Sequence, residues 1–368
     1  MTQTQYPAQT VGALRQEMIS GPFVRNAWYV AAWPHELAEQ GKLVARVILG
    51  EPIVMFRKSD GTIAALEDRC AHRFAPLSMG KVLPGDRLQC PYHGLEYDAS
   101  GACVLNPHGT GAISSRAAVA KYPIVEKHTA VWIWMGDKPA DLAKVPDFHE
   151  LDGVPELHST KRDSMMIRAN YQLLIDNLLD LSHTSYLHAG VLGNRDTVDA
   201  EITVEQEGDD VLVGRISKGA TPPGILAPFW PGHPPRVDVF NRVRWMAPGT
   251  LKLISGMCAA GGNQDSGTGL HAIHMLTPES ETSTHYFFTA VRWNVVTTDE
   301  IVNQELQARI AKLRRHAFEV EDAPVVEAQQ RNIAMANRSL EPMILPIDVG
   351  PARYKRILSR MLDVERQE

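Results

Sequence analysis

At 368 residues, 44% of them hydrophobic, and with a formal net charge of −6, the chain is long enough for two domains with large buried cores. The acidic balance offers no basic footprint for nucleic acid or an anionic membrane, and no apolar run reaches the length of a bilayer span. Residues 1–20 lack a basic stretch followed by an apolar run, so no signal peptide is expected and a reducing cytoplasm is the expected compartment.

Residues 1–21 read as an N-terminal extension and 22–140 as a small all-β domain. A strand at 63–66 runs into a loop bearing Cys70 and His72, and a strand at 88–90 runs into a second loop bearing Cys90 and His93. The seventeen residues between His72 and Cys90 suffice for two strands and a turn, so both loops meet at one end. Residues 95–105 then read as a hairpin turning at Ala99, Ser100 and Gly101. Each loop supplies one thiolate and one imidazole. A Rieske [2Fe-2S] centre needs that mixture, because one iron keeps two Cys ligands while the other takes two His. A structural zinc site also accepts two Cys and two His, but it usually draws the Cys pair from one loop and the His pair from another. Cys103 and Cys258 have no spacing that suggests a disulfide framework, and Cys103 reads as a small core residue.

Residues 131–135 close the β-domain, and the stretch 136–146, rich in Pro, Gly and charge, is the expected boundary to a second domain at 147–368. There, 176–188 reads as a helix with Leu174, Leu178 and Leu181 toward a core and with Asn177, Asp180 and His183 on another face. His188 breaks the pattern, since five residues place it roughly 140° round from His183. For both imidazoles to meet one metal, the helix must widen or end near Ser185. Two His and one carboxylate on adjacent corners form the facial triad of non-haem Fe(II) oxygenases, which leaves positions open for dioxygen and water.

Strands near 202–204, 211–216, 251–254, 271–276 and 286–291 suggest an antiparallel sheet. The His183 helix and another over about 300–318 flank it, so the second domain reads as α+β. Residues 221–235 hold six prolines and read as a surface loop, or alternatively as a mobile lid over a substrate channel. Lys252 alternates with Leu251 and Leu253. If its face lines a pocket, the ammonium demands an anion, and His274 on the next strand joins it; on an edge it snorkels to water instead. No dinucleotide fingerprint, phosphate loop or four-Cys ferredoxin spacing is present, so the chain takes no hydride from a nicotinamide by itself.

These motifs, together with 26–32, 70–78, Asn106 to Gly109 and 276–280, resemble the Rieske non-haem iron oxygenases over nearly the whole length, specifically the short type that includes vanillate and dicamba O-demethylases. The resemblance implies an α+β protein: an N-terminal all-β Rieske domain, then a catalytic domain whose antiparallel sheet is flanked by helices. It implies that His183 and His188 bind the catalytic iron. The third ligand would be Asp322, which matches the family position and lies two residues before Pro324, where a kink turns a side chain inward. The residues alone leave Glu319 and Glu321 open. Asp180 would bridge an iron-ligand His to His72 or His93 of the next subunit in a head-to-tail homotrimer, beside the plainer role of orienting His183. Asn177 would sit close to the iron.

By the same resemblance the chain is the terminal oxygenase of a system in which a separate flavin or ferredoxin-type reductase passes electrons to the cluster. Its co-substrate is dioxygen, and its target is a methyl group of a methoxylated, or N- or C-methylated, aromatic acid, released as formaldehyde. The alternative is a ring-hydroxylating dioxygenase that forms a cis-diol. The resembled demethylases hold an aromatic carboxylate through an amide and a His at the positions of Lys252 and His274; Lys252 departs from that pattern and favours an acidic substrate.

Overall fold

The computed structural model describes residues 23–367, so the expected extension at 1–21 lies outside the described residues. The first part is built from β1 (Ala27–Ala32), β2 (Val44–Ile48), β3 (Glu51–Arg57), β4 (Ile63–Glu67), β5 (Lys81–Leu83), β6 (Arg87–Gln89), β7 (Glu96–Tyr97), β8 (Cys103–Leu105), β9 (Ile124–Lys127) and β10 (Ala130–Met135). Among the described residues these pair antiparallel in three small sheets, ordered β1-β10-β9, β2-β3-β4 and β5-β6-β7-β8. Every residue of β10 is buried because the strand has a core on each side. Val131, Ile133 and Met135 pack with Tyr29, Ile53 and Met55, while Trp132 and Trp134 pack the other way with Trp28 and Trp33. Each of these large side chains contributes roughly 2–3 kcal/mol of burial.

The second part holds β11 (Asp163–Ile167), α1 (Tyr171–Leu179), β12 (Glu201–Glu207), β13 (Asp210–Ala220), β14 (Val237–Met246), β15 (Thr250–Ala259), β16 (Thr268–Ser280), β17 (Ser283–Trp293), α2 (Glu300–His316), α3 (Ala323–Ala334) and α4 (Val349–Gln367). Its strands form one antiparallel sheet in the order β11-β17-β16-β15-β14-β13-β12. Alternation along β16 sorts its neighbours into layers. Ile273 and Met275 turn toward the tryptophans of the first part, together with Phe148, Leu151 and Phe287. Leu276 turns to the opposite face and joins Leu174, Leu178, Trp245, Phe288, Phe318 and Tyr354 beneath the helices. The sheet is thus sandwiched between the N-terminal β-part and the helices, and the two parts share a core. Helix α4 lies so close to β13 that a Cβ on Gly350 would stand 2.5 Å from Val213 Cγ2.

The five expected strands lie within β12, β13, β15, β16 and β17. Strands β11 and β14 and helices α3 and α4 are additional to the expected elements. Residues 221–235 carry only a short turn of 3-10 helix, but Ile225, Leu226 and Phe229 are buried against Val237, Val239, Leu306 and Ile310. That packing makes the segment part of a core, in place of the surface loop or lid read from its prolines.

Candidate metal centres

Two tight turns at the end of the β-part carry the Cys and His motifs. Each closes on its own cysteine: Phe74 N donates to Cys70 O at 2.8 Å, and Gly94 N donates to Cys90 O at 3.1 Å. Both closing residues take left-handed backbone, with φ of 60° at Phe74 and 72° at Gly94. The turns therefore share one geometry and project their donors alike. Cys70 and Cys90 are buried at 2% exposure, with the two thiols against each other, and burial pushes the Cys90 thiol up. His72 and His93 stand at the rim with ring centroids 4.6 Å apart. Tyr97 accepts from Ala71 N at 3.1 Å, which leaves its hydroxyl hydrogen to meet Cys70 Sγ at 3.2 Å. Paired thiols inside and paired imidazoles outside fit a two-iron cluster whose inner iron takes Cys and whose outer iron takes His.

The second centre is made where two helices fail to be regular. Asn170 caps α1 by accepting from Gln172 N, and the helix ends at Leu179. Asp180 then takes extended backbone, and its carboxylate caps a turn of 3-10 helix at Leu181–Ser185 through Ser182 N (2.9 Å) and Ser182 Oγ (2.8 Å). The helix expected to run to Ser185 thus stops earlier, so Asp180 and His183 do not continue the α1 face that bears Asn177. The break is what lets His183 and His188 converge, their ring centroids 5.2 Å apart. On the far side, α2 gives way to a π-helical turn at Ala317–Asp322 before α3 begins, with Pro324 in the first turn of α3.

That turn separates the three acids. Glu319 faces out and pairs with Arg315 at 2.6 Å. Glu321 accepts from His188 Nδ1 at 2.7 Å. Asp322 points inward at 6% exposure, its Oδ1 3.1 Å from His188 Nε2, 3.7 Å from His183 Nε2 and 3.0 Å from Asn177 Nδ2. The candidate ligand atoms of His183, His188 and Asp322 all lie within 4.8 Å of one another. His183 Nδ1 donates to the backbone oxygen of Asp180 at 2.7 Å, so both rings have Nδ1 engaged by an acceptor and turn Nε2 toward the Asp322 carboxylate, where a metal would lie. Burial lowers the His183 pKa. Burial also works against charge on His188, but Asp322 and Glu321 outweigh it and the net shift is upward. The set of two imidazoles and one carboxylate fits a non-haem iron. Asp180 orients His183 through its backbone, whereas its carboxylate serves the cap.

Lys252 and His274, expected to share a pocket, lie on opposite faces of the sheet. Leu251 stands opposite His274 and Lys252 opposite Ile273, and opposed residues share a face. Lys252 therefore turns toward the β-part, where its Nζ meets Glu150 Oε1 at 2.7 Å; its anion is internal. His274 is on the helix side, 2% exposed, with Nδ1 2.6 Å from the Tyr286 hydroxyl and its ring 5.6 Å from that of Phe318. Its Nε2 has no hydrogen-bond partner among the described residues, and burial holds the ring well below the usual histidine range. Glu321 as the orienting partner of His188 is a site residue with no signal in the spacing beyond its place in the acidic run.

Comparison with known proteins agrees with this geometry. Residues 27–123 match the Rieske [2Fe-2S] domain, and residues 167–364 match the vanillate O-demethylase oxygenase C-terminal domain. The chain is 38% identical over 349 residues to the oxygenase component of dicamba O-demethylase from Stenotrophomonas maltophilia, covering 93% of this chain and 99% of that one. It is 35% identical to the oxygenase component of chloroacetanilide N-alkylformylase from Rhizorhabdus wittichii, over 93% and 97% of the two chains. The crystal structure of dicamba monooxygenase bound to 3,6-dichlorosalicylic acid superposes with a TM-score of 0.85 at 36% identity, covering 95% of this chain and all of the other.

Proposed function

Since this chain belongs to the Rieske oxygenase components of the vanillate O-demethylase type, we propose that it oxidises a methyl group of a methoxylated, or N- or C-methylated, aromatic acid. The relatives are named as oxygenase components of dicamba O-demethylase, vanillate O-demethylase and chloroacetanilide N-alkylformylase, and the two O-demethylase names favour removal of a methyl group, for which this reading expects release as formaldehyde. Electrons come from a separate reductase. The observation that carries the proposal is the convergence of His183, His188 and Asp322 in a chain that also pairs two Cys and two His at one tip.

When bound by these residues, the cluster would supply single electrons and the iron would supply oxygen activation, for a reaction that puts one oxygen atom into a substrate C–H bond and releases the other as water. The chain's own residues provide position. His183 and His188 present Nε2, held there by the Asp180 carbonyl and by Glu321. Asn177 fixes the Asp322 carboxylate by donating to its Oδ1. Phe318, Phe288 and Tyr286 pack against one another as an aromatic wall, with Phe318 on the same turn as Asp322.

At the other end, Phe74, Met79 and Tyr92 surround the imidazole rim with exposures of 72%, 73% and 60%. An apolar rim of that kind suits burial against a second subunit. We place the protein in a head-to-tail homotrimer in which this rim meets the Asp180 region of its neighbour. No helix among the described residues is long and apolar enough to cross a membrane, and Cys103 and Cys258, the two cysteines outside the cluster turns, are buried and in no disulfide, which suits a reducing cytoplasm.

The experiment is turnover with a generic reductase, NAD(P)H and a panel of methylated aromatic acids. Substrate-dependent oxygen uptake with stoichiometric formaldehyde is expected. A cis-diol product, or oxygen uptake indifferent to every substrate, rejects the reading.

A further inference from the structure

Arg314 is a buried cation without a counter-ion. It is 4% exposed, and its guanidinium lies 5.5 Å over the Phe288 ring and 5.4 Å over the Phe318 ring. Its Nη1 makes one long bond to Thr160 Oγ1 at 3.4 Å, and Nη2 has no hydrogen-bond partner among the described residues. Among those residues it forms no ion pair. Asp163, whose charge reaches it, is already bonded to Arg315 Nη1 at 3.1 Å and to Ser164 N at 2.9 Å. An arginine keeps its proton even when buried, so such a site is costly until an anion fills it.

Its place in the fold gives that anion a source. Arg314, Phe318 and Asp322 follow one another at intervals of four, on one side of a helix, so Arg314 and the candidate iron ligand bracket the Phe318 ring. About two turns separate them, the second of which is the π-turn, so the two side chains flank one stretch of wall on which a substituted aromatic ring can lie. Phe318 also touches His274 and Tyr286, and His274 Nε2 is the second buried donor of this wall without a partner among the described residues. Of the two other buried arginines, Arg215 meets the Thr197 carbonyl at 3.3 Å, and Arg292, whose Nε and Nη2 also have no partner among the described residues, bonds Asn303 at 2.6 Å and lies over Phe229, in a different core from Phe318. Lys252 is turned to the other face, and Leu253 stands on the His274 side.

We propose that Arg314 is the residue that holds the anionic substituent, a carboxylate or sulfonate, of the aromatic substrate, with His274 beside it. This deepens the demethylase reading and rests on it for the position of the substrate ring. A planar guanidinium with an open edge suits both anions, each of which offers two oxygens to it.

The test is equilibrium binding, which needs no turnover. Purified holoenzyme is titrated with the 2-, 3- and 4-methoxybenzoates, the corresponding methoxybenzenesulfonates, and the neutral methyl esters of the benzoates, followed by calorimetry. At least one acid should bind at least about tenfold more tightly than its ester, and Arg314→Gln should remove that preference while leaving ester affinity unchanged. Arg314→Lys should keep part of it. Should Arg314→Gln fail to fold, the wild-type preference and its partial loss in Arg314→Lys decide. Absence of any acid-over-ester preference in the wild type, equal weakening of acid and ester in the variants, or loss of the preference in Lys252→Met with Arg314 intact would overturn the proposal. Tight acid binding without formaldehyde in parallel turnover assays leaves Arg314 in its role and rejects the demethylase reading instead.

Discussion

The two candidate centres are built in opposite ways. The donors of the first all fall between residues 70 and 93, on turns that close on their own cysteines and hold their imidazoles at a rim. Those of the second come from residues 183, 188 and 322, are largely buried, and meet only because α1 stops early and α2 passes through a π-turn. One geometry is local and outward, as a group that passes electrons between molecules requires. The other is assembled by the tertiary fold and mostly withdrawn from solvent, as suits chemistry on an unactivated C–H bond. The first should therefore survive damage to the second.

Asp322→Ala breaks the comparison hardest. The variant should lose mononuclear iron, counted by metal analysis after gel filtration, and its turnover should fall to about a thousandth or less. The visible absorption of the cluster should be unchanged, since no residue of the cluster turns touches Asp322. Loss of the cluster along with the iron would show the two centres to be one cooperative unit. A gentler change sharpens the same contrast. Glu321→Gln keeps an acceptor near His188 Nδ1 but removes the charge, so iron affinity should fall about 10–100-fold in competitive chelation, again with the cluster intact. An unchanged affinity would mean that Glu321 is a bystander to His188.

The same difference decides how much could be read from the residues. The cluster donors were legible because two residue types recur at short spacing, and the turn geometry that joins them is local. His183 and His188 were legible as a pair, and the need for an irregular helix followed from 3.6-residue periodicity, although the break comes at Leu179 and not near Ser185. Separation of Asp322 from Glu319 and Glu321 required the π-turn, whose extra residue per turn no periodicity of that acidic run announces. The face of Lys252 relative to His274 is hidden for a related reason. Alternation places Leu251 and Leu253 on one face and Lys252 on the other, but only register with β16 shows that His274 shares the leucine face. Arg314 carried no signal at all, being one basic residue in a helix whose last turn also holds Arg315 and His316.

Lys252 itself lies between the two regions and yields the smallest effect. Its ion pair with Glu150 joins β15 to the short turn beside Phe148 and Leu151, which pack with the tryptophans of the β-part. Both side chains are mostly buried, at 17% and 16% exposure, and Glu150 Oε2 has no hydrogen-bond partner among the described residues. Lys252→Met keeps the aliphatic packing and leaves Glu150 without its cation, so unfolding free energy should fall by about 2 kcal/mol in chemical denaturation. Burial works to raise the Glu150 pKa, but the hydrogen bond and charge of Lys252 outweigh it and the folded value lies below the ordinary 4.5. A depressed folded pKa stabilises the native state above that ordinary value and ceases to do so as pH falls through the folded one. Without Lys252 burial alone acts on Glu150 and raises its pKa, so the gap between wild type and Lys252→Met should be widest at neutral pH and close as pH falls, first through the raised value in the variant and then through the depressed one in the wild type. Affinity for acidic aromatics should not change. A selective loss of acid binding in this variant would return Lys252 to the pocket and make the register between β15 and β16 the point to re-examine.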